Sequence, residues 1–344
     1  MKTTEFNDES VAGAVPMVPP VAEQAAEPKP LLSGPKRQHF LPRFYLEGFA
    51  DGGMVAVYDR QKNETRIQQP INTGVIGHFY TMTDEQGRKR YELEQLLSEY
   101  EGKAKPIIDK LTAREPLTAD ERSDFAVFIA LGTTRTPDIV DSLKAMSSEM
   151  VLWHTKMTYS DVDQVFQRLR ADEDYSGRSD IELREEAQLM VDLVQTGGLK
   201  VETNEKWAVS MAFQMAMQIA PIFAGRDWVV SHRENDKKSF VTTDAPVFLT
   251  TVAPRQNSFY GVGFGNADAL VFFPLNQACM LAMYGNSGDL RHISVGPDRI
   301  RQLNLAMANE CQRFVIGRSE VLVKNLAETV GLAGKQWQRK MQAG

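Results

Sequence analysis

Lys36-Arg37-Gln38-His39-Phe40-Leu41-Pro42-Arg43-Phe44-Tyr45-Leu46 sets two cations, a Gln-His pair, a proline and a further arginine among large apolar side chains. Polar groups spaced this tightly through apolar neighbours need buried partners or a cleft, because an unpaired buried charge is very costly. Pro42 disfavours helix at Leu41 and suits a first helical turn. The stretch therefore predicts an extended entry and then a short helix over 43–49, closed at Gly52-Gly53. It also divides the chain. Residues 1–35 carry Pro16, Pro19, Pro20, Pro28, Pro30 and Pro35 and little apolar surface, the composition of a disordered tail.

Downstream, Met54 to Tyr58 reads as a strand, with Arg66 to Ile71 as its candidate partner. From Tyr91 to Leu111 the apolar residues fall at helical spacing, with Pro106 as an expected break or kink. Thr118-x-x-Glu121 is a capping box before the apolar run from Phe125 to Leu131, and that helix should end or kink at Arg135-Thr136-Pro137. Leu143, Met146, Met150, Trp153 and Met157 continue a helical stripe. Acidic residues outnumber arginines between Asp161 and Asp192, as on solvated helix faces. Trp207 to Phe223 reads as a buried helix. The pattern then turns to strands: Trp228 to Ser231 with Ser239 to Thr242 as an expected hairpin, Val247 to Val252, Ala269 to Phe273, and Cys279 to Tyr284. A helix opening at Gly296-Pro297-Asp298, a strand at Phe314 to Ile316 and a helix from Ser319 complete the pattern. Strands, then helices, then strands predict an α+β fold: a central helical region packed with an antiparallel or mixed sheet. We expect one domain over 36–330, between the tail and a basic polar C-terminal tail over 331–344.

The 344 residues carry a formal net charge of -6, which argues against polyanion binding by bulk charge and leaves a local basic patch open. Cys279 and Cys311 form no CxxC pair, and two isolated thiols fit a reducing compartment. No apolar h-region opens the chain and no apolar run reaches membrane-spanning length, so the expectation is a cytoplasmic protein. Histidine spacing matches no HExxH or HxH pattern, so no metal site is assigned. The glycines from Gly261 to Gly265 lack the lysine of a P-loop. No GxSxG elbow is present, and Cys279 sits in an apolar run, which gives little support to a serine or cysteine nucleophile.

Three polar clusters sit in apolar surroundings: Gln38-His39 with Arg43, then Arg135-Thr136-Pro137, then Thr242-Thr243-Asp244-Ala245-Pro246-Val247. A histidine in such a place can act as a base, a ligand or a phosphate contact. An arginine can clamp a carboxylate or phosphate bidentately. Asp244, two residues before a proline, is held on a restricted turn, where its carboxylate either bonds backbone amides or serves a reaction. The QHFLPRFYL stretch, TTDAPV and the later Phe273-Pro274-Leu275 resemble motifs of the bacterial family catalogued as domain of unknown function 4238, with Asn276 departing from its serine. The resemblance spans about residues 36–318 and carries no activity with it.

Two functional readings follow. In the first the protein is a hydrolase acting on a phosphate-bearing or nucleic-acid substrate, with His39 and Asp244 catalytic and Gln38, Arg43 and Arg135 binding substrate. In the second the same residues hold a ligand or partner in a non-catalytic regulatory module. Cofactor and oligomeric state are not legible. Both readings expect the three clusters to meet at one concave surface, with Asp244 and then Glu99 as candidate acids for Arg43 or Arg135.

Overall fold

The computed structural model describes residues 31–252 and 262–333. The expected tails, over 1–35 and 331–344, lie largely outside the described residues, as does Gly261. The opening stretch forms strand β1 (Arg37–His39) and helix α1 (Arg43–Glu47), with Pro42 at the N-cap. Strands β2 (Val55–Asp59) and β3 (Glu64–Gln68) make a hairpin, β4 (Val75–Gly77) pairs antiparallel with β1, and β5 (Met82–Thr83) pairs with β6 (Lys89–Arg90).

A helical block follows: α2 (Glu92–Thr112), α3 (Ala119–Thr134), α4 (Pro137–Thr158), α5 (Val162–Ala171), α6 (Asp180–Gln195) and α7 (Glu205–Gly225). The capping box forms as expected. The Glu121 amide donates to the Thr118 hydroxyl at 3.1 Å and the Thr118 amide to the Glu121 carboxylate at 2.9 Å. Of the break or kink expected at Pro106, the break does not occur: helix α2 runs on through it. Helix α7 is long and apolar enough to cross a membrane, yet it packs against α3 and α4 and buries Ala208, Val209, Ala212, Phe213 and Phe223, as a core helix does. Of the α4 stripe, Leu143 is buried, while Met146, Met150, Trp153 and Met157 are exposed.

The strand-rich part contains β7 (Asp227–Arg233), β8 (Thr242–Thr243), β9 (Phe248–Thr251), β10 (Ala269–Asn276), β11 (Cys279–Tyr284) and β12 (Leu290–Val295). Helix α8 (Pro297–Asn309), strand β13 (Phe314–Gly317) and helix α9 (Glu320–Val330) follow. One sheet has the order β12-β7-β11-β10-β9, antiparallel except for the parallel β12–β7 pair; the other has the order β3-β2-β13-β8. The hairpin expected between Trp228–Ser231 and Ser239–Thr242 does not form. Both edges of β7 are taken by β11 and β12, and β8 crosses to pair with β13 in the other sheet.

Alternation divides both sheets between two cores. Val55, Val57, Ile316, Val230, Phe273 and Leu281 pack with α2, α3 and α7. Ala56, Tyr58, Val315, Phe272 and Met280 pack with α8 and α9. The α+β arrangement thus has helices on both faces of its sheets. Helices α5 and α6 close a small core of their own around Phe166 and Ala187.

Candidate functional site

A cleft of about 910 Å³ opens where the three motif stretches approach one another. Phe40 follows His39 into it, Pro137 and Asp138 continue the Arg135-Thr136 corner, and Asp244 enters from the loop after β8. The remaining walls come from β2, β3, residues 72–76 and residues 312–314.

One wall is cationic. Asp59, wholly buried at the end of β2, receives Arg313 in a fork: Nε lies 3.1 Å from both carboxylate oxygens and Nη2 2.8 Å from Oδ2. Burial alone would raise the Asp59 carboxyl, but the hydrogen bonds and charge of Arg313 outweigh it and hold the group below the usual carboxylate range. Arg66 competes for the same acid from farther away. Its Nη1 is 3.9 Å from Asp59 and 3.6 Å from Glu64, and its Nε is buried with no hydrogen-bond partner. The Phe314 ring lies 4.8 Å from the Arg313 guanidinium and 5.6 Å from that of Arg66. Arg60 donates to the Cys311 carbonyl at 2.9 Å.

Carboxylates line the same cleft beside the 312–314 segment. The amides of Gln312 and Arg313 donate to the two oxygens of Asp244 at 3.0 and 2.7 Å. Burial pushes the Asp244 carboxyl up to about 7, against those amides and with the charge of Asp138 adding to the rise. Asp138 accepts from the Thr136 hydroxyl and from Gln312 Nε2, each at 2.7 Å, so Gln312 bridges the two carboxylates. Asp141 stands at the rim, 76% exposed.

Of the residues singled out in the sequence, Asp244 lines this cleft; Gln38, His39, Arg43 and Arg135 do not. Gln38 is fully buried and ties β1 to the 79–81 segment, accepting from the Tyr80 amide at 2.6 Å and donating to Thr81 at 3.1 Å. His39 Nε2 sits 3.2 Å from the Ile71 carbonyl, beside the Asn72 wall of the cleft, and burial lowers its pKa. Arg43 is exposed and pairs with Glu47 one helical turn on, at 2.8 Å. Arg135 is buried against Glu101 at 3.0 Å, with Nε unpartnered. Both arginines have acids in range, but the partners are neither Asp244 nor Glu99; Glu99 pairs with Lys103. Arg43 finds an acid on its own helix and Arg135 one on α2, and neither lines the cleft.

What joins the motifs is the Tyr45 hydroxyl. It lies 2.8 Å from Thr242 Oγ1 and donates to the Pro274 carbonyl at 2.9 Å, linking the opening stretch to TTDAPV and to Phe273-Pro274-Leu275. With the Tyr45 hydrogen on Pro274, Thr242 donates to the Tyr45 oxygen, so Tyr45→Phe strands a buried acceptor and a buried donor and is expected to cost about 1–3 kcal/mol. A urea denaturation midpoint equal to that of the wild type would show the bond to be worth nothing.

Two other clusters bear on the chemistry. Burial, and then Glu101, push the Glu94 carboxyl up to about 7 against the pull of Arg135. A carboxyl raised above its unfolded value contributes least once ionised, so stability falls as pH rises from about 4 to 7. The lowered histidines His39, His232 and His292 act in the opposite sense. The comparison of Glu94→Gln with wild type isolates the carboxyl: between pH 5 and 8 the variant should gain relative stability, by less than about 1.4 kcal/mol per unit because water reaches part of the group. A pH-independent difference in melting temperature would contradict this.

The second cluster is a chain: Cys279 Sγ lies 3.2 Å from His232 Nδ1, and His232 Nε2 2.9 Å from His292 Nδ1. Burial pushes the thiol up to about 11 and His232 down to about 4, so the chain is neutral and the sulfur is not activated. Among the described residues no group of three or more His, Cys, Asp or Glu side chains could hold a metal ion.

The cleft arginines escaped the sequence reading. Asp138 had a signal, as the residue after Arg-Thr-Pro at a helix start. Arg60, Arg66 and Arg313 had none, because the pairing of β2 with β13 brings them together.

A model of the family described as protein of unknown function DUF4238 matches residues 37–321. No curated protein and no solved structure matches the chain.

Proposed function

The chain belongs to DUF4238, a family of unknown function, and from the geometry of the cleft we propose that it binds a small phosphate-bearing molecule and hydrolyses it, with Asp244 handling a proton. The carrying observation is the cationic wall. Arg313 and Arg66 share one wholly buried acid, Asp59, and Arg66 keeps a buried Nε with no partner. Glu64, 3.6 Å from Arg66, shares its charge but does not line the cleft, whereas Arg60, Arg66 and Arg313 do, so their guanidinium groups can meet a phosphoryl group through charge-assisted hydrogen bonds. Asp138 and Asp141, which line the same cleft, suit hydroxyl or amino donors of the same ligand.

The size supports a metabolite: about 910 Å³ lies in the range of roughly 300–1,000 Å³ that encloses a small ligand. The carboxylates of the cleft and the net charge of -6 disfavour a nucleic-acid strand. A carboxyl near neutrality suits general acid catalysis. The anion clamp in this reading is Arg66 with Arg313, and Gln38, His39, Arg43 and Arg135 hold the surrounding framework. The two cysteines, both free, agree with a cytoplasmic setting.

The test is a thermal-shift titration with phosphate monoesters, wild type against Arg66→Gln. We expect ligand-dependent stabilisation that weakens ten- to a hundredfold in apparent affinity in the variant, as for a lost charged hydrogen bond of about 1.5–3 kcal/mol. Equal affinities, or no stabilisation by any ester, would sink the reading.

One observation favours a non-catalytic module instead: both Asp244 oxygens already hold backbone amides. Binding that depends on Arg66 with no turnover of the bound ester would select that alternative.

A further inference from the structure

A second cavity, of about 220 Å³, lies between residues 236–239, α8 and the first turns of α9, and shares no lining residue with the larger cleft. Lys237, Lys238, Arg301 and Arg318 line it. Its one acidic lining residue, Asp236, is 2.5 Å from Arg233. Among the described residues none of the four cationic side chains has a hydrogen bond or an ion pair.

The frame that carries them is ordered. Asn304, buried on α8, donates to the Ser239 carbonyl at 2.8 Å and accepts from the Val241 amide at 3.1 Å, which pins the segment bearing both lysines over the helix. Ser319 caps α9, and Ser319, Val321 and Leu322 line the cavity, so the positive end of that helix dipole adds to the four charges. Glu320, the acid of the same turn, lines a different cavity. Four like charges gathered without a counter-ion repel one another, and a bound anion relieves that repulsion.

We propose that this cavity is a binding site for a dianionic phosphoryl group, held by Arg301, Arg318, Lys237 and Lys238. The volume decides the class. It falls below the roughly 300–1,000 Å³ of pockets that enclose whole small ligands, and it accommodates one tetrahedral anion. The group is either free phosphate or the terminal phosphate of a small ester. The proposal does not rest on the reading of the larger cleft.

The experiment titrates inorganic phosphate and glycerol 3-phosphate into the full chain at low salt and follows amide hydrogen exchange over residues 235–240 and 318–323. Wild type should gain protection in both segments. Arg318→Gln and the exposed pair Lys238→Gln/Arg301→Gln should each weaken that response at least tenfold, whereas Arg66→Gln should leave it intact. The response should fade as salt is raised, as for an electrostatic site. Tighter binding of glycerol 3-phosphate identifies an ester as the ligand, and tighter binding of phosphate the free ion. No protection in these segments of the wild type would overturn the site. So would wild-type affinity in the double variant, whose surface positions do not threaten folding.

Discussion

Asp59→Ala is expected to cost about 3–5 kcal/mol, the penalty for breaking a buried ion pair by removing one partner. The lower end is the better guide, because water reaches Arg313 and Arg66, whose side chains are 36% and 35% exposed. Against a total of roughly 5–15 kcal/mol, even that leaves a marginal domain. The loss has two parts. The forked bond that fastens residue 313 to the end of β2 disappears, and the two guanidinium groups lose the acid they share, leaving Glu64 beside Arg66 and the more distant charge of Asp244 for Arg313. The measurement is a denaturant midpoint, and adding Arg313→Met to Asp59→Ala should recover part of the loss by removing one stranded cation. If Asp59→Ala melts within a degree or two of wild type, the cationic wall is held by something other than Asp59.

Asp244→Ala should be the second severe change. It strands the amides of Gln312 and Arg313, each worth about 1–3 kcal/mol when left unsatisfied in a buried place. It also releases the 312–314 segment, which forms one wall of the cleft, so ligand binding and stability should fall together. Asp244→Asn separates the two effects. Asn keeps the shape and one acceptor but turns an N–H toward a backbone N–H, so it is destabilising by less than Asp244→Ala, and it cannot donate or accept a proton at neutral pH. A hydrolase should lose turnover in Asp244→Asn while retaining ester binding. Unimpaired turnover in a folded Asp244→Asn would end the catalytic assignment and leave the carboxylate as a loop anchor.

Elements whose cause is local were legible. The Thr118 box, the periodic apolar face of α2 and the Gly296-Pro297 opening of α8 each declare themselves within a few residues. So did the turn that carries Asp244. Strand partners were not legible. Trp228 to Ser231 and Ser239 to Thr242 have the look of a hairpin, but the choice between a near partner and a distant one depends on which core each face meets. Strand β12, with exposed Arg291, Ile293 and Ser294, sits at a sheet edge where few apolar residues are needed. The convergence of motif stretches on one cleft could be expected from their shared character, yet the side chains that reach it are mostly their neighbours: Phe40 beside His39, and Asp138 beyond Arg135. A one-residue step along a strand turns a side chain to the other face, and apolar company does not say which face is open.

The placement of β13 sets a condition on biosynthesis. Strand β2 has β3 on one side and meets its other neighbour only in Phe314–Gly317; Asp59 and Arg313 are 254 residues apart. On a translating ribosome, at roughly 5–20 residues per second, the finished β2–β3 hairpin waits for roughly ten seconds to a minute with an apolar edge unpaired. Such an edge is a template for any passing strand. A chain released before residue 317 lacks the strand that closes this sheet, so incomplete products are clients for chaperones and proteases and cannot serve as smaller working versions of the protein.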